Sequence, residues 1–430
     1  MLYLAAYCFL WFGYSWFIIP VYGYAGFELE PNALKVFESI VVLVLIAIML
    51  PTKVNKPSDI YIHAQLLLPV LPMLVLYGAS DLPRDYMYFV IVAFAIMSLF
   101  CQIRFPIFPR GLISTHAMMW ILLVVLSGYI ISIIYQGGLM YFNLDIMKVY
   151  DFRDEAAQNL PDIYGYLSGI VEKVILPFAL MLSVYHRKWI VAALVLSQSV
   201  ILFGLTTHKG TMFYPFIVLG IYWIMNKPRR AINALIVCYI LVIIFSLIPY
   251  ALSIFKGSEP TLSNIIVGAM SMRRGYFVPA LLNFQYYDFF SVNPTVMLSQ
   301  SKLSLGMVEY PYGIDTSHLI GYYYNNNIAS GANTGWLGSG YMHFGFLGMI
   351  LYAMAIGSIL SLVNMISRRR GLGISVAIVF TPFLAVFLSS DLPVVCLTHG
   401  LFVALILAWV CRFPMITVTT MQSKKKALTP

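Results

Sequence analysis

Residues 231–255 read AINALIVCYILVIIFSLIPYALSIF, a run without a single charged side chain. About 20 apolar residues in an α-helix cross the ~30 Å hydrocarbon layer of a bilayer. The basic residues Lys227, Arg229 and Arg230 precede this run, and the chain changes character after it. From 256 to 333 it is rich in Tyr, Asn, Gly and Ser and carries the pair Arg273-Arg274. Apolar spans resume on the far side. One long polar, aromatic segment on one face of an otherwise oily chain marks where such a protein does its work.

The whole chain fits this pattern. Of 430 residues, 61% are hydrophobic and 10% charged, against about 25% charged in a soluble domain. The mean hydropathy is +0.85. The expected fold class is therefore an all-α polytopic membrane protein. Twelve transmembrane helices are expected, at roughly 2–22, 35–51, 60–80, 86–102, 112–135, 164–185, 189–207, 211–226, 231–255, 335–366, 373–390 and 394–412. They form one membrane domain, 1–413, with a basic tail over 414–430. The first span is too long and too aromatic for a signal peptide. Cys8, Cys101, Cys238, Cys396 and Cys411 fall in or beside spans and suggest neither a disulfide framework nor a metal cluster.

Charge placement orients the spans. With both termini cytoplasmic, inner loops hold Lys53, Lys56, Arg104, Arg110, Arg187, Lys188, Lys227, Arg229, Arg230 and Arg368 to Arg370, and the tail holds Lys424 to Lys426. Asp59 is almost the only acid on that side. Most acids fall outside, a positive-inside pattern. The net charge of +9 is thus a topology signal and does not argue for nucleic acid. Two outer loops exceed simple connectors, 136–163 and 256–333. The apolar runs flanking Arg273-Arg274 fit a re-entrant or interfacial helix, since irregular backbone at membrane depth must be buried or line a cavity.

Outer basic residues run against the positive-inside trend. For Arg273 and Arg274 two readings stand: snorkelling to lipid phosphates, or a clamp on a pyrophosphate, for which the planar, permanently charged guanidinium is suited. Lys209, in the turn Thr207-His208-Lys209-Gly210, is either a turn residue or a phosphate ligand. Arg153 has Asp154 and Glu155 beside it, so a loop ion pair competes with a ligand role. Tyr310, Tyr312, Tyr323 and the neighbouring Asn residues offer the flat faces and hydrogen-bonding rims that pyranose rings require, or an interfacial aromatic belt. His318 is the candidate base, with Glu309 and Asp288 as alternatives. Glu38 and Glu172 lie in outer halves of spans, where a carboxylate is costly unless paired or functional. No phosphate-binding glycine motif occurs, so the energy for any outer-face transfer must arrive with the substrate.

The stretch Asn333-Thr334-Gly335-Trp336-Leu337-Gly338-Ser339-Gly340-Tyr341-Met342-His343-Phe344-Gly345-Phe346-Leu347-Gly348 resembles the Asn…Gly…Tyr-x-x-Phe-Gly-x-x-Gly pattern of Wzy-type O-antigen polymerases of Gram-negative bacteria. Lys209-Gly210 and the Arg-Gly-Tyr-Phe at 274–277 are similar too, as is the layout of spans and outer loops. The resemblance implies a GT-C-type membrane glycosyltransferase fold in the inner membrane with the active site facing the periplasm. It implies transfer of a growing glycan from undecaprenyl pyrophosphate to the non-reducing end of another lipid-linked repeat unit. No cofactor and no metal are expected. Expected partners are undecaprenyl-pyrophosphate-linked oligosaccharides, membrane lipids and a Wzz-like chain-length regulator. Arg273, Arg274, His318 and Glu309 become the expected catalytic residues. Lys209, Arg153, Tyr310, Tyr312, Tyr323, Asn333 and Tyr341 become the pyrophosphate and glycan contacts. Where the family has an acid before the Tyr of Tyr-x-x-Phe-Gly, this chain has Ser339-Gly340. The rival readings are an O-antigen ligase of the same fold and a flippase for lipid-linked oligosaccharides.

Overall fold

The computed structural model describes residues 1–106, 111–145, 161–301 and 304–412. They are almost entirely helical: α1 Leu2–Ala25, α2 Ala33–Met49, α3 Pro57–Ala79, α4 Arg84–Phe100, α5 Thr115–Tyr135, α6 Asp162–Tyr185, α7 Trp189–Thr206, α8 Gly210–Met225, α9 Pro228–Phe255, α10 Leu262–Val292, α11 Thr316–Asn325, α12 Trp336–Arg370, α13 Leu372–Leu388 and α14 Leu392–Val410. Two residues each of β1 (Ile113–Ser114) and β2 (Cys411–Arg412) pair in parallel. Each of the twelve expected spans coincides with a helix. Nine helices among the described residues are long and apolar enough to cross a membrane, and one of them, α10, lies inside the segment read as a loop. The protein is an all-α, multi-pass membrane protein.

The chain folds as two compact units. The first comprises Met1–Ile103, Lys227–Leu360 and Leu384–Val395. The second comprises Arg104–Asn226, Ser361–Phe383 and the described residues from Cys396 onward.

The first unit is built around α3, which is buried on nearly every side. Pro69 and Pro72 interrupt its hydrogen-bond ladder, and a π-turn over Leu66–Val70 absorbs the break. Gly78 lets the backbone of α2 approach: a Cβ there would meet the Val36 backbone at 3.0 Å. Asp59 accepts the backbone N–H groups of Asn55 and Lys56 at 2.8 and 3.1 Å and closes the start of α3. Asp59→Ala should lower folding stability by about 1 kcal/mol, as loss of a helix cap does; thermal unfolding in detergent, compared with wild type, measures it. Glu38 is paired: Tyr77 donates to it at 2.5 Å and Arg84 bonds both its oxygens, at 2.9 and 3.2 Å. Lys35 ties Asp81 (2.8 Å) and the Leu82 carbonyl (2.7 Å) at the same end, and this pairing holds the exposed Asp81 carboxyl below the usual range. His63 bonds Tyr3 and the Pro51 carbonyl, a tie between helix ends.

The segment 256–333 is not a loop throughout. α10 runs 31 residues and its partners trace a descent and a return. Asn264 reaches the Pro249 carbonyl near the end of α9, and Tyr276 stacks with Tyr239 ten residues deeper, ring centres 4.7 Å apart. Met272 covers Gly13 in the middle of α1, and Phe277 packs on Tyr14. Leu281 and Gln285 are then beside Gly26, past the end of α1, and Tyr287 bonds Asp85 at the start of α4. Ten residues of helix separate Pro249 from Tyr239, or ~15 Å of rise. Both ends of α10 therefore lie at one end of the first unit, and its middle lies deep. The deep stretch, Ala269–Phe277, is a π-helix that carries Arg273 and Arg274.

A second reversal lies in α12. Phe344 (φ −142°, ψ 27°) and Gly345 (φ 58°, ψ −146°) are non-helical. Gly340 and Gly348 touch: a Cβ on Gly348 would lie 1.9 Å from the Gly340 carbonyl oxygen. Eight residues of straight helix would separate them by ~12 Å. Trp336–His343 is thus a half-helix, joined by a hairpin to the long arm of α12. His343 pins the turn, accepting the Leu298 N–H at 3.1 Å on Nδ1 and donating from Nε2 to Asp391 at 3.0 Å; Tyr352 donates to the other Asp391 oxygen at 2.9 Å.

In the second unit α6 packs against α5, α7 and α8, with Leu176 to Ser183 fully buried. Gln198 donates to Ser127 at 2.7 Å, and Ser199 donates to the Thr211 carbonyl at 2.9 Å.

Candidate functional site

The site is built on the bend of α10. A π-helix widens the turn and redirects side chains, and such segments concentrate at functional positions. Here it carries two arginines of the first unit. The Arg273 guanidinium stacks on the Tyr22 ring, 4.7 Å from its centre. Arg274 is exposed, and its charge also bears on Tyr22. Arg273 thus sits on the last turn of α1. Arg273 Nε is buried without a hydrogen-bond partner, and Arg273 makes no ion pair with any described residue. A buried charged donor left unmatched costs free energy unless something fills the place. A guanidinium stacked on a ring keeps its donors in one plane, the geometry that binds oxyanions two at a time.

The return arm of α10 and the segment after it form an aromatic wall. Phe289 and Phe290 receive Tyr312, and Phe289 also receives Tyr323. Tyr310 packs on Tyr312 and donates to the Ile314 carbonyl at 2.7 Å. Tyr312 donates to the Pro294 carbonyl at 2.5 Å. These two hydroxyls are therefore occupied in shaping the chain. Tyr322 and Tyr323, 52% and 60% exposed, present open ring faces. Tyr324 donates to Asp288 at 2.5 Å; burial, with that carboxylate beside it, pushes its phenol far above the usual range, so it stays protonated.

The Asp315-Thr316-Ser317 stretch starts α11, with the Asp315 carboxylate accepting the Ser317 N–H at 3.1 Å. This cap fixes His318 in the first turn. Its Nδ1 donates to the Ile328 carbonyl at 2.8 Å, which leaves Nε2 as the acceptor nitrogen. Glu309 is exposed, and so is Asn333, ahead of the α12 half-helix. Tyr341 is 7% exposed, enclosed by Tyr86, Tyr287 and Phe346. Lys209 belongs to the second unit, in the turn between α7 and α8. Arg153 lies outside the described residues.

The first unit therefore gathers Tyr312 and Tyr323 around Phe289, with Tyr310 on Tyr312, and sets Arg273 on Tyr22. Tyr22 was missed in the sequence, where it is one more aromatic at a span end; only its pairing with a π-helix 250 residues on gives it a role. Among the described residues no three His, Cys, Asp or Glu side chains gather to hold a metal ion. No family model, no curated protein and no solved structure matches the chain.

Proposed function

We propose that the chain is a membrane glycosyltransferase of the O-antigen polymerase type, with a GT-C-like fold. It moves a growing glycan from a polyprenyl pyrophosphate carrier to the end of another lipid-linked repeat unit. The observation that carries the reading is Arg273: a guanidinium on the bend of a re-entrant helix, stacked on Tyr22, with a buried donor unmatched. A lipid-linked pyrophosphate brings its anion to a bilayer at this kind of place. Arg273 and Arg274 would neutralise the charge that grows on the departing pyrophosphate, and preorganised stabilisation of this kind usually contributes more to catalysis than any other single effect. The exposed Tyr322 and Tyr323 would carry sugar rings, with His318 Nε2 as one candidate base.

Charge placement favours re-entry of α10 over a full crossing. A full crossing would invert every later helix and move Arg368 to Arg370 to the side opposite Arg229 and Arg230, against the positive-inside bias. With α10 re-entrant, twelve spans remain, both termini are cytoplasmic and the aromatic wall faces the periplasm of the inner membrane.

The test is the lipopolysaccharide ladder of a strain deleted for the gene. Loss of the ladder with a single repeat unit retained on the core is expected. Bare core would indicate a ligase or a flippase, and an unchanged ladder would end this reading.

A further inference from the structure

The end of the first unit opposite the aromatic wall gathers cations that the arginine clamp does not use. Tyr3, at the start of α1, bonds His63 of α3, and His63 Nε2 donates to the Pro51 carbonyl at 2.9 Å. The Val54 N–H donates to the Pro228 carbonyl, in the first turn of α9, at 3.4 Å. These bonds hold the connection between α2 and α3 against the start of α9. Lys53 stands in that connection, and Lys227, Arg229 and Arg230 stand at the helix start. All four are exposed, and none makes an ion pair with a described residue. Asp59 is the one acid in residues 50–63, and there is none in 226–241. It is buried, engaged by the Asn55 and Lys56 N–H groups, and within electrostatic reach of Lys56. Four positive charges therefore stand together without a counter-charge.

The positive-inside bias asks only for cations on this side. It does not ask that two segments so far apart in sequence be stapled by a main-chain bond, which brings like charges together. The surface below the charges indicates the anion that suits them. Val237 and Leu241 follow Arg230 by seven and eleven residues, so all three share one face of α9, and both apolar side chains are exposed. This stripe runs ~16 Å along the helix from Arg230. Ile48 and Met49, at the end of α2, are exposed just ahead of Lys53. A soluble polyanion would meet the cations alone. A phospholipid meets both surfaces, its phosphate on the cations and its acyl chains along the apolar side chains. Four cations match a headgroup with two phosphates, and each guanidinium fork can take two phosphate oxygens. Basic pockets at the cytoplasmic ends of membrane helices hold headgroups of this kind.

We propose that Lys53, Lys227, Arg229 and Arg230 form a binding site for an anionic phospholipid with a two-phosphate headgroup, the cardiolipin class. The phosphates bridge the α2–α3 connection to the start of α9 and relieve the repulsion that the fold leaves there. The site needs nothing from the glycosyl-transfer reading and stands if that reading fails.

The test is native mass spectrometry of the purified full chain in detergent, titrated with tetraoleoyl cardiolipin or with dioleoyl phosphatidylglycerol at equal phosphate. Wild type should bind cardiolipin at least ~10-fold more tightly. Arg229→Gln with Arg230→Gln should weaken cardiolipin binding at least ~10-fold, in keeping with what two cations near an anionic surface contribute. Lys256→Gln removes an exposed cation from the other end of α9 and should leave cardiolipin binding unchanged. Equal binding of the two lipids overturns the site. So does cardiolipin binding that survives the double substitution, and so does an equal loss in Lys256→Gln, which would mean general charge attraction only. If the double variant fails to accumulate, Lys53→Gln with Lys227→Gln takes its place, with the same loss expected and undiminished binding again overturning the site.

Discussion

Arg273→Ala abolishes long glycan chains while leaving the protein folded and in the membrane: this is the expected result with the largest functional effect. The guanidinium stands on the α10 bend with no ion pair among the described residues, so its removal strands no buried partner charge. What folding loses is one stacking contact with Tyr22, about 0.5–1 kcal/mol. What the reaction loses is a fixed donor aimed where charge develops, and deleting one such donor typically costs 10²–10³-fold in rate, about 2.7–4 kcal/mol. Arg273→Lys separates charge from geometry. Lysine keeps the cation but cannot make two parallel bonds or stack as a plane, so it should recover only a small part of the activity. The measurement is the ladder length in a complemented deletion strain, with membrane abundance by immunoblot. Full-length ladders from Arg273→Ala at normal abundance would remove the clamp from the mechanism.

That arginine was legible in the sequence because an Arg pair interrupts an apolar run on the face where arginines are scarce. The helix that carries it was legible only as a short re-entrant or interfacial element. The best 18-residue window of α10 has a mean hydropathy of 1.2, against 2.8 for α9. Asn283, Gln285, Tyr286, Tyr287 and Asp288 dilute the signal that marks a span, and these residues are polar because they meet other residues: Asn283 accepts the Tyr86 hydroxyl, Tyr286 donates to the Ala332 carbonyl and Tyr287 to Asp85. Tertiary partners, not local hydropathy, hold this helix together. The Glu172–His208 pair was hidden for a related reason. Their 2.8 Å contact joins residues thirty-six apart in sequence, where Glu172 alone reads as a carboxylate that is costly unless paired or functional and His208 as part of a turn. The span positions, by contrast, follow from apolar length, which no tertiary partner has to supply.

Gly348→Ala is the substitution expected to damage the fold most. The new methyl carbon would stand 1.9 Å from the Gly340 carbonyl oxygen and 2.9 Å from its carbon. Both belong to backbone on the opposite arm of the α12 hairpin, so no side chain can swing away. Opening the hairpin would pull His343 from Asp391 and from the Leu298 N–H. It would also shift Trp336, whose indole N–H donates to Gln65 inside α3 at 3.2 Å. Overpacking a tight core costs ~1–3 kcal/mol, and losing the His343 bonds adds about 1–3 kcal/mol for each buried group left unmatched. Together these approach the roughly 5–15 kcal/mol that keeps a typical domain folded. Gly345→Ala makes the comparison informative, because nothing lies within 4 Å of a Cβ there. Its cost is backbone strain alone, at φ 58° and ψ −146°, ~1–3 kcal/mol. Thermal unfolding in detergent should therefore rank wild type above Gly345→Ala and Gly345→Ala above Gly348→Ala, with the last barely accumulating in membranes. A Gly348→Ala protein as stable as wild type would mean that α12 does not turn back on itself, and the half-helix Trp336–His343 would have to continue straight into the long arm.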